Sequence, residues 1–229
     1  RRKEAIIDYT MRKLTTNNMK KRILLDILMT LVFVVLLDYR FIKNAGHEIM
    51  AVLFCFLFYF HYRWNKNWYH NLTKGRWNGI RKRMTLINGL LLLAFVLVMM
   101  TGVLISHHLY YMGIKFPLWV HRLHRIAGFS MLILIGLHLG LHWQSIWMPM
   151  KRKIHLPRPL VYLLLLAIAA GGIYFSCYYH IGGRLLCIPL NQLGRPPVTL
   201  GLFVFGHLLI IGMYTILSHY VEKGLRQKV

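Results

Sequence analysis

Six apolar runs, each close to the length that crosses a bilayer, constrain this chain more than any other feature. They lie near 23–41, 45–63, 84–107, 118–144, 158–180 and 197–219. About 20 apolar residues of helix cover the ~30 Å hydrocarbon core. Lipid offers no partner to a backbone N–H or C=O, so such runs must satisfy their own hydrogen bonds as helices. The expected fold is an all-α integral membrane bundle of six transmembrane helices, multi-pass, in contact with the lipid bilayer.

Charge gives the bundle a direction. Of the 29 Lys and Arg residues, 22 fall before the first run, between runs two and three, between four and five, or after six. The other side holds seven: Arg40, Lys43, Lys115, Arg122, Arg125, Arg184 and Arg195. The positive-inside rule then puts both termini in the cytoplasm. The formal charge of +23 is thereby read as a basic inner face suited to anionic headgroups, not as a nucleic-acid surface. Trp64, Trp68, Trp77, Trp143 and Trp147 fall at the expected inner interface and Trp119 at the outer one, the level that amphipathic rings favour. The segment 1–22 is expected to be a basic cytoplasmic N-terminal piece, too polar for a signal peptide's apolar core. Because it opens on Arg1 rather than Met, the native start is expected upstream.

Histidine spacing carries the chemistry. His47 and His61 are 14 residues apart on the second run; His124 and His138 are 14 apart on the fourth. Fourteen helical residues rise ~21 Å and turn almost four times, so each pair shares one face at two depths. Runs two and four are expected to descend in the same direction, which levels His47 with His124 near the outer surface and His61 with His138 near the inner one. Two imidazoles at each level match the axial demand of a bis-histidine haem b. His142, one turn below His138, and His121, one turn above His124, remain alternative ligands.

Other residues fit around those levels. Gly89 and Gly102 on the third run are 13 apart, and Gly128, Gly136 and Gly140 lie on the fourth. A flat macrocycle needs close backbone approach, which glycine permits; ordinary small-residue helix packing is the competing explanation. Arg63, Arg122 and Arg125 flank the histidines and are candidate partners for anionic haem propionates. Asp38 and Glu48 near the outer face, and Asp26 near the inner one, are candidate proton carriers in quinol chemistry. Each could equally be a cap or the partner of a neighbouring cation.

Several further features weigh less. His207 lies mid-run and could bond a quinone or another helix, with the helix preferred. His107, His108, His121 and His124 make a sparse version of a membrane di-iron box, on the wrong face for that chemistry. Cys177 and Cys187 lie near the outer surface, where a disulfide is possible chemistry. The absence of Cys-x-x-Cys-His leaves covalent haem attachment unsupported. Proline at 157, 159, 196 and 197 is expected just ahead of runs five and six.

The strings GHEIMAVLFCFLFYFHYRWNKNWYH and HRLHRIAGFSMLILIGLHLGLHW carry a likeness to known proteins. The chain resembles the dihaem cytochromes b, in particular a family of small bacterial membrane proteins grouped with them, over the first four runs. The resemblance implies two noncovalent haems b and a four-helix dihaem core over 23–147, followed by two additional helices over 148–229. Run one lacks the glycines that complex-type cytochromes b place beside the haems, and their quinol-site motifs are not evident. The expected function is transmembrane electron transfer between a quinone pool, menaquinone or ubiquinone, and a partner oxidoreductase subunit on the extracytoplasmic side. Two other functions fit the same residues: a self-contained transmembrane reductase of a small outer acceptor (ferric or superoxide-type), and a metal or proton transporter.

Overall fold

The structure, a computed structural model, describes the backbone of residues 2–106, 116–151, 157–186, 188 and 197–227, and the side chains of the same stretches except 2–18 and 145–151. Helices are the regular elements among these residues: α1 (Arg2–Leu36), α2 (Lys43–His70), α3 (Gly79–Ile105), α4 (Leu118–Lys151), α5 (Arg158–Tyr178), the short α6 (Ile181–Leu185) and α7 (Leu200–Arg226). Five of them, α2, α3, α4, α5 and α7, are long and apolar enough to cross a membrane. Their apolar side chains point outward as well as inward: Ile49 is 70% exposed, Leu166 67% and Phe56 61%. A face of that kind suits hydrocarbon, so the chain is a helical bundle of the multi-pass membrane type.

The first apolar run behaves differently from the other five. Its helix stops at Leu36 rather than near 41. Asp38 causes the break. Its carboxylate accepts the Arg40 backbone N–H at 3.1 Å and caps a 3-10 turn at Tyr39–Phe41. The Arg40 guanidinium closes on the same carboxylate from Nε (2.8 Å) and Nη2 (2.6 Å).

Contacts divide the chain into two compact units, Arg1–Gly75 and Arg76–Val229. The first is an antiparallel pair of α1 and α2. Val32, Phe33 and Val34 are buried, as are Phe54 and Leu57 of α2. The Phe33 and Phe54 rings meet at 6.0 Å. The basic, aromatic stretch over 64–83 is divided among the end of α2, a turn, and the start of α3. Asn78 caps α3 by accepting the Arg81 N–H at 2.9 Å.

The second unit is built on α4, which packs against both α3 and α7, while α5 packs on the far side of α7. α4 and α7 run in the same direction and approach closely because glycine removes the side chains between them. A Cβ on Gly136 would lie 2.6 Å from Tyr214 Cβ, and one on Gly140 2.5 Å from the Thr215 carbonyl oxygen. These two glycines therefore serve helix packing, the competing explanation of the sequence. Ser218 Oγ donates to the Leu137 carbonyl across the seam (2.9 Å). At one end of this bundle Glu222 of α7 is buried between two guanidiniums. Arg83 of α3 donates to it at 2.7 and 3.1 Å and Arg226 at 3.1 Å, while Arg226 also reaches Gln144 of α4 (3.2 Å).

Helix starts follow local chemistry. Pro157 caps α5 and Pro159 sits in its first turn, as expected of a residue without an N–H. Thr199 caps α7 through the Leu202 N–H (3.3 Å). Past the end of α5, His180 takes the left-handed conformation (φ 53°) that turns the chain into α6. Arg184 of α6 is buried, donates Nε to the Tyr179 carbonyl (2.8 Å) and lies over the Phe129 ring (5.1 Å).

Candidate functional site

Each 14-residue histidine pair lies on one uninterrupted helix, His47 and His61 on α2, His124 and His138 on α4. Within each helix the pair is therefore ~21 Å apart and within about 40° of one face. Three of the four rings are held at Nδ1 by a neighbouring helix.

In the first unit, His61 Nδ1 lies 2.7 Å from Asp26 Oδ1. The register explains the meeting. From Asp26 to Phe33 is seven residues on α1, and from His61 back to Phe54 is seven on α2. Two helical turns separate the members of each step, so the antiparallel helices meet at both points. Asp26, a candidate proton carrier from sequence, is thus a hydrogen-bond acceptor for a candidate ligand.

In the second unit, α3 holds both histidines of α4. His138 Nδ1 is 2.7 Å from Asn88 Oδ1. His124 Nδ1 is 3.1 Å from the Val98 carbonyl oxygen and 3.1 Å from Thr101 Oγ1. The Thr101 hydroxyl donates its own proton back to the Leu97 carbonyl one turn earlier, so toward His124 it accepts. A backbone carbonyl can only accept, which fixes His124 with its proton on Nδ1. A carboxylate likewise only accepts, so His61 donates to Asp26. With Nδ1 protonated, a neutral imidazole carries its lone pair on Nε2, the form that binds a metal.

Asn88 and Thr101 are 13 residues apart, one fewer than the 14 between the histidines they face across the antiparallel hairpin, and each is followed by a glycine singled out from sequence. Gly102 lies against the His124 ring, where a Cβ would be 3.2 Å from Cε1. Gly89 has nothing within 4 Å of its Cβ position. The two acceptors themselves escape a reading for charged or metal-binding residues. Their signal is that Thr85, Asn88 and Thr101 are the uncharged polar residues of an otherwise apolar 84–105.

The remaining candidates fall as follows. His121 is exposed and His124 half-buried. The rings of His138 and His142 are 4.7 Å apart, and His138 is the one Asn88 holds. His47 and Glu48 are half-buried near the start of α2. Arg63 and Arg122 are exposed. Arg125 is half-buried, and its Nε has no hydrogen-bond partner among the described residues. Asp38 is occupied by Arg40, as above. His207 donates Nδ1 to the Phe203 carbonyl of its own helix (2.8 Å) and stacks on Tyr179 at 4.6 Å. Cys177 is exposed, and its candidate partner Cys187 lies outside the described residues, as do His107 and His108.

Comparison with known proteins returns nothing: no family model, curated protein or solved structure matches the chain.

Proposed function

We propose that the chain is a transmembrane electron-transfer cytochrome of the dihaem b type. His47 and His124 would ligate one iron, and His61 and His138 the other. The pairing rests on the equal spacings in the sequence. The observation that carries the reading is the common state of three of these histidines, each with Nδ1 held by an acceptor on an adjacent helix. Metal-ligating histidines characteristically donate their second ring N–H to a carboxylate or carbonyl, which sets tautomer and ring direction.

The residues present suit the group. Haem iron takes two side chains, whereas an all-protein metal site takes three or four. Among the described residues no three His, Cys, Asp or Glu side chains gather as such a site. Gly102 leaves the His124 ring room that any Cβ would fill. Arg125 offers a buried Nε–H of the kind an anionic propionate takes. Bound haem would supply reversible one-electron chemistry. The chain's own residues would orient the imidazoles and set their donor strength through the Nδ1 contacts.

The wider reading is a membrane-anchor subunit in a bacterial cytoplasmic membrane. It has six spans, α1 supplying the first, and both termini cytoplasmic. It exchanges electrons with menaquinone or ubiquinone and with an extracytoplasmic oxidoreductase subunit. The test is a dithionite-reduced minus oxidised spectrum of purified protein with pyridine-haem quantitation. A b-type α-band with two haems per chain is expected; intact protein that purifies, and stays, without haem refutes the proposal.

A further inference from the structure

The sequence from Arg76 to Val229 holds a single carboxylate side chain, Glu222, and Arg83 and Arg226 already share it. The lead-in to α3 is nevertheless strongly basic. Arg76 and Lys82 are exposed there, and their own unit has no further carboxylate to offer them. Arg81 folds this lead-in against the helix. Its Nη1 donates to the Arg76 carbonyl (3.4 Å), and its guanidinium lies 5.0 Å from the centre of the Trp77 ring. One exposed corner thus carries two cations and an indole, the ring that favours the headgroup level of a bilayer.

An apolar strip runs along the helix from Lys82. Leu86, Leu93 and Val96 are exposed and lie within about 40° of the Lys82 direction. Asn88 and Thr101, which hold the histidines of α4, point about 100–120° away from it. The strip has a dent. Gly89 lies on the same line between Leu86 and Leu93, is exposed, and would carry a Cβ with nothing within 4 Å. Glycine is a poor helix former, and among the described residues no packing contact calls for it here.

We propose that this edge of α3 binds one anionic phospholipid. Its phosphate sits on Arg76, Lys82 and the Trp77 indole N–H, and one acyl chain lies along Leu86 and Leu93, seated in the dent at Gly89. Phosphate is the complementary group because it accepts from all three donors and brings the charge the second unit lacks. Basic positions where a transmembrane helix meets the surface select anionic headgroups in this way. The depth agrees. Gly89 is ~10 Å along the helix from Lys82, inside a single leaflet of ~15 Å. The site lies wholly on the second unit and needs no haem, so it stands or falls apart from the electron-transfer reading.

The test is native mass spectrometry of the full chain, purified and delipidated in detergent, then titrated with dioleoyl-phosphatidylglycerol or dioleoyl-phosphatidylcholine. Wild type should bind its first phosphatidylglycerol more tightly than its first phosphatidylcholine. Lys82→Gln should weaken that phosphatidylglycerol step about fivefold, the factor one juxtamembrane cation contributes. Gly89→Leu fills the dent with a better helix former and should weaken the same step. Lys82→Gln carries the test alone if Gly89→Leu loses helicity by circular dichroism. Arg158→Gln is the matched control. It removes a cation at the head of α5, which packs on α7 beyond α4. Interhelical steps of ~8–10 Å put it outside the ~8 Å reach of a screened charge, so binding should not change. Glycerol phosphate, a headgroup without chains, should not displace the lipid. The proposal is overturned if wild type shows no preference, or if Lys82→Gln or a helical Gly89→Leu binds as wild type does. It is equally overturned if Arg158→Gln costs as much as Lys82→Gln, the mark of a diffuse basic face, or if glycerol phosphate displaces the lipid, the mark of a free-phosphate site.

Discussion

The seam between α4 and α7 gives the sharpest test of the second unit, through Gly140→Ala. The added methyl would sit 2.5 Å from the Thr215 carbonyl oxygen, 2.6 Å from Ser218 Cβ and 3.0 Å from the His219 nitrogen. Two of these are backbone atoms of a helix and cannot swing aside. Carbon contacts settle near ~3.5 Å, so the two helices must part by roughly 1 Å. A gap of that size forfeits about a quarter to a half of the attraction at each contact it opens. It also stretches the Ser218 to Leu137 hydrogen bond, itself about 1 kcal/mol. Overfilling a close-packed site costs about 1–3 kcal/mol, and that is the expected loss. The control is Gly224→Ala on α7, where a Cβ meets nothing within 4 Å and the gain in helix propensity is up to ~1 kcal/mol. Unfolding of both variants in mixed micelles, followed by circular dichroism against denaturing detergent, reads the two energies side by side. Equal stability of Gly140→Ala and Gly224→Ala would refute the packing of α4 on α7 described here.

Two further outcomes follow from the same bundle. Asn88→Ala should weaken binding of one haem by roughly 10–100-fold while the other stays, since it frees His138 from its orienting acceptor. His142→Ala should keep both, and haem titration of the two variants against each other tells which histidine is the ligand. Glu222→Gln leaves Arg83 and Arg226 without their shared carboxylate. It should cost about 1.5 kcal/mol, the low end for a charge-assisted bond, because both guanidiniums are partly exposed to screening. A double-mutant cycle with Arg83→Gln checks it: the coupling should be of that size, and strict additivity would mean the pair contributes nothing.

What the sequence makes legible here is whatever depends on long averages. Five of the six apolar runs are membrane-length helices because hydropathy over about 20 residues outweighs any local preference. The first run shows where an average fails. One carboxylate, Asp38, captures a backbone N–H two residues on and a guanidinium beside it, and the helix ends at Leu36 although Leu37 is apolar. The histidine spacing is legible for the same reason as the runs, being a regular step on a regular helix. Asn88 and Thr101 are not. A single amide or hydroxyl in an apolar stretch looks like noise until an antiparallel neighbour sets the register that aims it at a histidine. The glycines divide by a criterion no spacing contains. Gly102 lies beside an imidazole, whereas Gly136 and Gly140 face α7, whose approach is known only once the chain has folded back upon itself.

The clasp at Glu222 has a bearing on how the molecule is made. Arg83 emerges from the ribosome near the start of the second unit, and its carboxylate arrives almost 140 residues later, at the tail of the last helix. Until then the head of α3 carries a guanidinium with no counter-charge, and the groove along Gly136 and Gly140 stands open to whatever the membrane offers. The final helix thus acts as a fastener. A chain ending short of Glu222 would still hold the seam residues Tyr214, Thr215 and Ser218, but would leave Arg83 without the carboxylate that ties α3 to α7.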